Sequence, residues 1–235
     1  MIGNQMLEES IACTAAPVCY QHLVLMPLQD LAATATEEAK QYSICVFDCA
    51  QRLDVAKPLA QVTLAHKPLC LAIDGAFAAV YSSNHHLHVL HLLMDEAGAV
   101  RLKQLARINL ANTFLQFPPH EMQSLSISRY SQMEQQSRSY PATCVFHHNG
   151  NVSCLSLEPA AAGLGQLQLA DAGFLLAQDV DRVWLPSDTG TSVLSSSMWF
   201  ACGRQGVKVG WVSVAASYWL CICVVGCAWL AVLMA

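Results

Sequence analysis

The chain has 235 residues, 54% of them apolar and only 12% charged, with a net charge of -5 at neutral pH. That is enough apolar material for one large domain or two small ones. No run of Lys or Arg is present to neutralise a phosphate backbone, so nucleic acid is set aside as a partner.

Eleven cysteines are present, without regular spacing. Cys45 and Cys49 form CxxxC and Cys221 and Cys223 form CxC, while the others lie scattered in apolar settings such as "KPLCLAI". An odd, irregular set argues against a secreted disulfide framework and predicts reduced, buried thiols in the cytosol. The opening "MIGNQMLEESIACTAAPVCY" has no basic start, and Glu8 and Glu9 interrupt its apolar positions, so it does not read as a signal peptide. Gly is not second, so the myristoylation pattern is absent as well.

In chain order, "QHLVLMPL" and "QYSICVFDCA" are short runs of β-formers, separated by the polar stretch "QDLAATATEEAK". Alternation in "QYSICVFD" places Tyr42, Ile44 and Val46 on one face and Cys45 and Phe47 on the other. Weaker strands follow at "AQVTLAH" and "KPLCLAID". In "FAAVYSSNHHLHVLHLL" two apolar runs flank a Ser-Ser-Asn turn signal. "QLARINLANTFLQF" fits a helix or a strand, "EMQSLSISRY" is a strand, and "SQMEQQSRSYP" is a loop. In "ATCVFHHNGNVSCLSLE" the dipeptide Asn149-Gly150 supplies the positive-φ residues of a type I′ hairpin turn. "LEPAAAGLGQLQLADAG" reads as a loop, and "GFLLAQ" and "DRVWL" as strands. The last hairpin is "SSMWFACGRQGVKVG", its turn bracketed by Gly203 and Gly206. Beyond it, Val209 to Ala235 carries no charge. A stretch of that length can span about 30 Å of hydrocarbon as a helix. Arg204 and Lys208 precede it, and Trp211, Tyr218 and Trp219 suit an interface.

Many short strands with frequent turns predict an all-β protein, a propeller or a sandwich. The hairpin tips near Asn84, Asn149 and Gly203 lie further apart than the roughly 40–45 residues of a regular propeller blade. A propeller with loop insertions fits that spacing.

"FLLAQDVDRVWL" followed by "MWFACGRQGVKV" resembles the ribosome control protein 1 family. "QYSICVFD", "AVYSSNHHLHVLHL" and "CVFHHNGNVSCLSLE" stand in the order expected of its propeller blades. The resemblance runs from about Leu23 to Val209 and stops where Gly210 intervenes before Trp211. It implies a partial WD-like β-propeller of stacked antiparallel blades over 23–209. Residues 1–22 are then a poorly ordered N-terminal segment, and 210–235 a hydrophobic tail forming a candidate transmembrane helix. The family's chains are several times longer and continue into a helical region, so the resemblance implies a fragment. It leaves the tail either genuine or foreign to the family.

The family is the large subunit of a two-subunit guanine-nucleotide exchange factor for Golgi Rab GTPases. The resemblance implies a scaffold in retrograde transport to the Golgi, with a smaller arrestin-like subunit and a Rab GTPase as partners. It places the chain in the cytosol and at the Golgi membrane. The rival reading is a tail-anchored membrane adaptor with a cytosolic β domain, unrelated to Rab exchange.

No catalytic, cofactor-binding or metal-binding residue is assigned, and the chain is not read as an enzyme. His85, His86, His88 and His91 tempt a zinc reading. His86 and His88 share a strand face, but a structural zinc site needs four ligands and no partner pair stands nearby. They are read as polar outer positions of a strand, and His147 and His148 as a hairpin end. "CGRQG" and "GLG" lack the pattern of a phosphate loop, and no GxSxG elbow is present. Asp48, Asp74, Asp95 and Asp181 sit beside turns, where Asp bonds local backbone.

Overall fold

Strands dominate because the apolar positions recur at a period of two and rarely at a helical period. The computed structural model describes residues 11–30, 41–49, 57–113, 119–130, 140–160, 166–170, 173–184, 196–203, 206–213, 219–225 and 228–234. They form nineteen strands and two short 3-10 turns, with no α-helix among the described residues. The predicted loops at 31–40 and 131–139 lie outside them. The chain divides into two compact units, Met1–Arg107 and Ile108–Ala235, a division that falls inside the stretch 23–209.

The first unit holds two antiparallel sheets. The first sheet comprises β1 (Ile11–Cys13), β2 (Val18–Tyr20), β3 (Leu23–Asp30), β4 (Gln41–Asp48) and β5 (Ala60–Leu64). Both β1 and β2 pair with β3, along different halves of its length. The sheet therefore begins upstream of Leu23, within the segment 1–22 read from sequence as poorly ordered. The second sheet follows in chain order as β6 (Pro68–Asp74), β7 (Phe77–Ser82), β8 (His86–Met94) and β9 (Val100–Asn109).

Alternate residues of the two sheets meet in one core. Leu23, Leu25, Tyr42, Ile44, Val46 and Leu64 of the first pack with Ala78, Val80, Leu90, Leu92 and Val100 of the second. This is the face that alternation assigned to Tyr42, Ile44 and Val46. The opposite face of β4 is buried too, with Cys45 4% and Phe47 8% exposed. A strand buried on both faces reads as a continuous apolar run. The ambiguous stretch after Val100 is strand as far as Asn109, then a 3-10 turn over Leu110–Asn112. Asn109 caps that turn by accepting from the Ala111 amide at 2.9 Å.

In the second unit the third sheet contains β10 (Met122–Tyr130), β11 (Tyr140–His148), β12 (Asn151–Pro159), β13 (Leu167–Leu169) and β14 (Phe174–Ala177). The β11–β12 hairpin closes through Asn149 at φ 43° and Gly150 at φ 74°, with His148 facing Asn151. Two positive φ values are what a type I′ turn requires, so the Asn-Gly signal is realised. Strand β13 falls in the stretch read as loop; Leu157 to Pro159 of β12 recruit it as an edge partner.

The fourth sheet takes β15 (Val180–Trp184), β16 (Ser196–Gly203), β17 (Gly206–Ser213), β18 (Trp219–Val225) and β19 (Ala228–Met234) in that order. Gly203 pairs with Gly206 across the predicted turn. Residues 210–235 are not the expected hydrophobic helix. Their described part is the end of β17 and the two strands β18 and β19, paired Trp219 to Met234 through Val225 to Ala228. Among the described residues no helix is long and apolar enough to cross a membrane. The reason lies in composition. Trp, Ile, Val and Cys crowd "WLCICVV", and β-branched and aromatic residues favour the pleated strand. Each seven-residue run is of strand length, and apolar content alone does not separate a buried strand from a helix.

Candidate functional site

The chemistry-bearing side chains gather at the ends of two hairpins, one in each unit. In the first unit, Ser82 ends β7 and His86 begins β8, so the register sets the two side by side. Ser82 is fully buried. Its hydroxyl is aimed at Asn84 Oδ1 at 2.9 Å and at the His86 carbonyl at 3.0 Å. Its oxygen also lies 3.5 Å from His88 Nε2. On its other side, His88 Nδ1 is 3.4 Å from Gln104 Oε1 on β9. His86 Nδ1 donates to the Asn84 carbonyl at 3.0 Å. His85 occupies the left-handed turn position at φ 62°, with its Nδ1 3.3 Å from the Tyr81 hydroxyl.

His88 is 7% exposed and stands opposite Val80. It is therefore not the outer polar position expected from sequence. Its contacts are long for hydrogen bonds, and burial holds it below the ordinary histidine range, a shift that Arg107, His86 and His66 reinforce. His91 is on the opposite face and stacks on Phe77 with ring centroids 4.4 Å apart. Burial lowers its pKa as well, and Lys103 adds to the effect. Burial likewise pushes the Tyr81 phenol up to about 12.

The second unit repeats the pairing of serine and histidine with the positions exchanged. His148 ends β11, and its Nε2 lies 3.0 Å from Ser153 Oγ on β12. His147 donates from Nε2 to the Val180 carbonyl at 2.9 Å. The Val180 amide in turn donates to the Gly150 carbonyl at 2.9 Å, and the Asn149 amide to the Glu121 carbonyl at 3.2 Å. The turn is thus tied to β15 and to the segment before β10. His147 and His148 are both buried, at 4% and 8% exposed. Burial lowers the pKa of His148, Glu121 opposes that shift, and His147 adds to it.

These groups do not compose a catalytic set. A nucleophilic serine needs an accessible hydroxyl and a base oriented by a third group. Ser82 and Ser153 are 0% and 2% exposed, and the group beyond His88 is an amide. Among the described residues no group of three or more His, Cys, Asp or Glu side chains is placed to hold a metal ion. The four histidines of "HHLHVLH" separate: one in the turn, two near the Ser82 network, one stacked on the far face. Asp95 follows the turn reading, its Oδ1 accepting from the amides of Ala97 and Ala99 at 3.0 and 2.7 Å. The clusters satisfy buried polar groups at hairpin ends. Sequence reading marked Ser82 and Asn84 only as part of a turn and missed their bonds, and it missed Gln104, because nothing in its spacing marks it. Only the Ser-Ser-Asn turn, once its register is set, puts Ser82 beside His88.

Successive antiparallel sheets of four or five consecutive strands are the architecture of the β-propeller class. Sqt1 from Chaetomium thermophilum shares this fold. Its crystal structure superposes with a TM-score of 0.52 at 13% identity, covering 86% of this chain and 44% of that one. Its complex with the N-terminus of the ribosomal protein L10 gives a TM-score of 0.50 at 13% identity, over 86% and 45%. The chain thus spans less than half the length of these two structures. No curated protein matches it. The chain belongs to the family of the RIC1 second beta propeller domain, which matches residues 1–218. Strands β18 and β19 lie beyond that match.

Proposed function

We propose that the chain is a partial propeller acting as a scaffold in the large subunit of a guanine-nucleotide exchange factor for a Golgi Rab GTPase. The observation that carries this reading is the family match over residues 1–218. Its partners are the smaller arrestin-like subunit and the Rab, its place is the cytosol and the Golgi membrane, and its process is retrograde transport. Exchange factors remodel the GTPase's nucleotide site and break no covalent bond, so the role calls for surfaces rather than for a catalytic set.

The test is co-purification of the chain with the arrestin-like subunit and a panel of GDP-loaded Golgi Rabs, followed by release of a fluorescent GDP analogue. The expected result is capture of the subunit or of a GDP-bound Rab, with no acceleration of release by the chain alone. Failure to capture either would overturn the proposal.

A further inference from the structure

The molecule is acidic overall, with a net charge of -5, but one strand departs from that balance. Strand β9, "VRLKQLARIN", contains Arg101, Lys103 and Arg107 and no acidic residue. All three basic side chains are exposed, as is Gln104 between them. Val100 and Leu102 point into the core of the first unit, which turns Arg101 and Lys103 to the opposite face. Strand β9 is also the last of its sheet, and its outer edge has no strand partner among the described residues. The backbone there offers a row of amide donors and carbonyl acceptors about 33 Å long, at about 3.3 Å per residue.

We propose that the outer edge of β9 is a docking site for an extended acidic peptide of a partner protein, added to the second sheet as a further strand. Backbone pairing along an open edge supplies affinity, and side chains at alternate positions supply selection. Arg101 and Lys103 are two residues apart, the spacing at which an extended peptide presents two carboxylates on one face. The surrounding negative charge repels acidic peptides from the rest of the surface, so the site selects by contrast. A basic edge strand also guards against edge-to-edge aggregation. Protection of that kind needs charge but no partner, and the experiment separates the two.

The probe is a ten-residue capped peptide alternating Glu and Thr, titrated into the full chain by fluorescence anisotropy at low and physiological salt. The expected result is saturable, salt-sensitive binding. It weakens about tenfold or more in the Arg101→Glu/Lys103→Glu variant, or when Lys replaces Glu in the peptide. A peptide N-methylated at alternate residues is also expected to bind about tenfold more weakly, because it cannot pair along an edge. Hydrogen exchange of the unmutated chain then shows new protection at the Val100–Asn109 amides. Absence of binding, binding unchanged by charge reversal or N-methylation, or protection elsewhere than β9 would each overturn the proposal.

Discussion

At the scale of single residues, the fold depends on buried polar side chains whose partners are few and fixed. Ser82 is the clearest, because one hydroxyl serves the turn residue Asn84, the start of β8 and the ring of His88. Replacing it with alanine leaves the half-buried Asn84 and the buried His88 short of a partner, at a cost of about 1–3 kcal/mol. Urea unfolding of Ser82→Ala is expected to show a lower midpoint with an unchanged slope, and a midpoint equal to the parent's would refute this account. This layer was almost illegible in the sequence. The spacing of the histidines was visible, but burial depends on which face a strand turns inward. His88 shares its face with Leu90 and Leu92, residues that alternation alone could have marked as core.

Strands and hairpins were far more legible, because period-two alternation and turn chemistry are local. Asn149-Gly150 gave a turn whose φ values the structure reproduces, and Gly203 and Gly206 bracket the last hairpin. The tail misled, since "WLCICVVGCAWLAVLM" has no polar residue to set a period, and length favoured the helix. Pairing with β17 is what makes it strand, and that partner cannot be seen within the segment itself. The central strands carry the energetic weight of the sheets. Ile44 is fully buried between partners on β3 and β5 and belongs to the shared core of the first unit. Ile44→Ala is expected to destabilise that unit by about 2–5 kcal/mol. The exposed control Gln61→Ala on the edge strand β5 should stay within about 0.5 kcal/mol of the parent. Similar losses at both positions would contradict the core assignment.

For the molecule as a whole, the three histidines held low by burial set an acid limit. His88, His91 and His148 all lie below the reference value of 6.5 in the folded chain. Above that value both folded and unfolded chains are neutral at these sites, and stability is at its full level. As the pH falls below it, the unfolded chain takes up protons that the folded chain resists. Stability therefore drops until the pH passes the folded values. Chemical denaturation at pH 7.5 and 5.5 is expected to show the lower stability at 5.5. The His88→Gln/His148→Gln variant should lose part of that difference, and an unchanged pH dependence in the variant would remove these two histidines as its source.

The strand order has a consequence in time. Among the described residues each sheet is assembled from one stretch of chain, 11–64, 68–109, 122–177 and 180–234, and borrows no strand from another. A ribosome delivers such a stretch in seconds, at about 5–20 residues per second. Every strand partner in the described part of a sheet has then been synthesised before the next sheet begins. A nascent sheet built this way waits on no distant strand to complete its ladder, although the β11–β12 turn gains its bonds to Val180 when the fourth sheet begins, and what each new sheet still lacks on emergence is a neighbour for its apolar face.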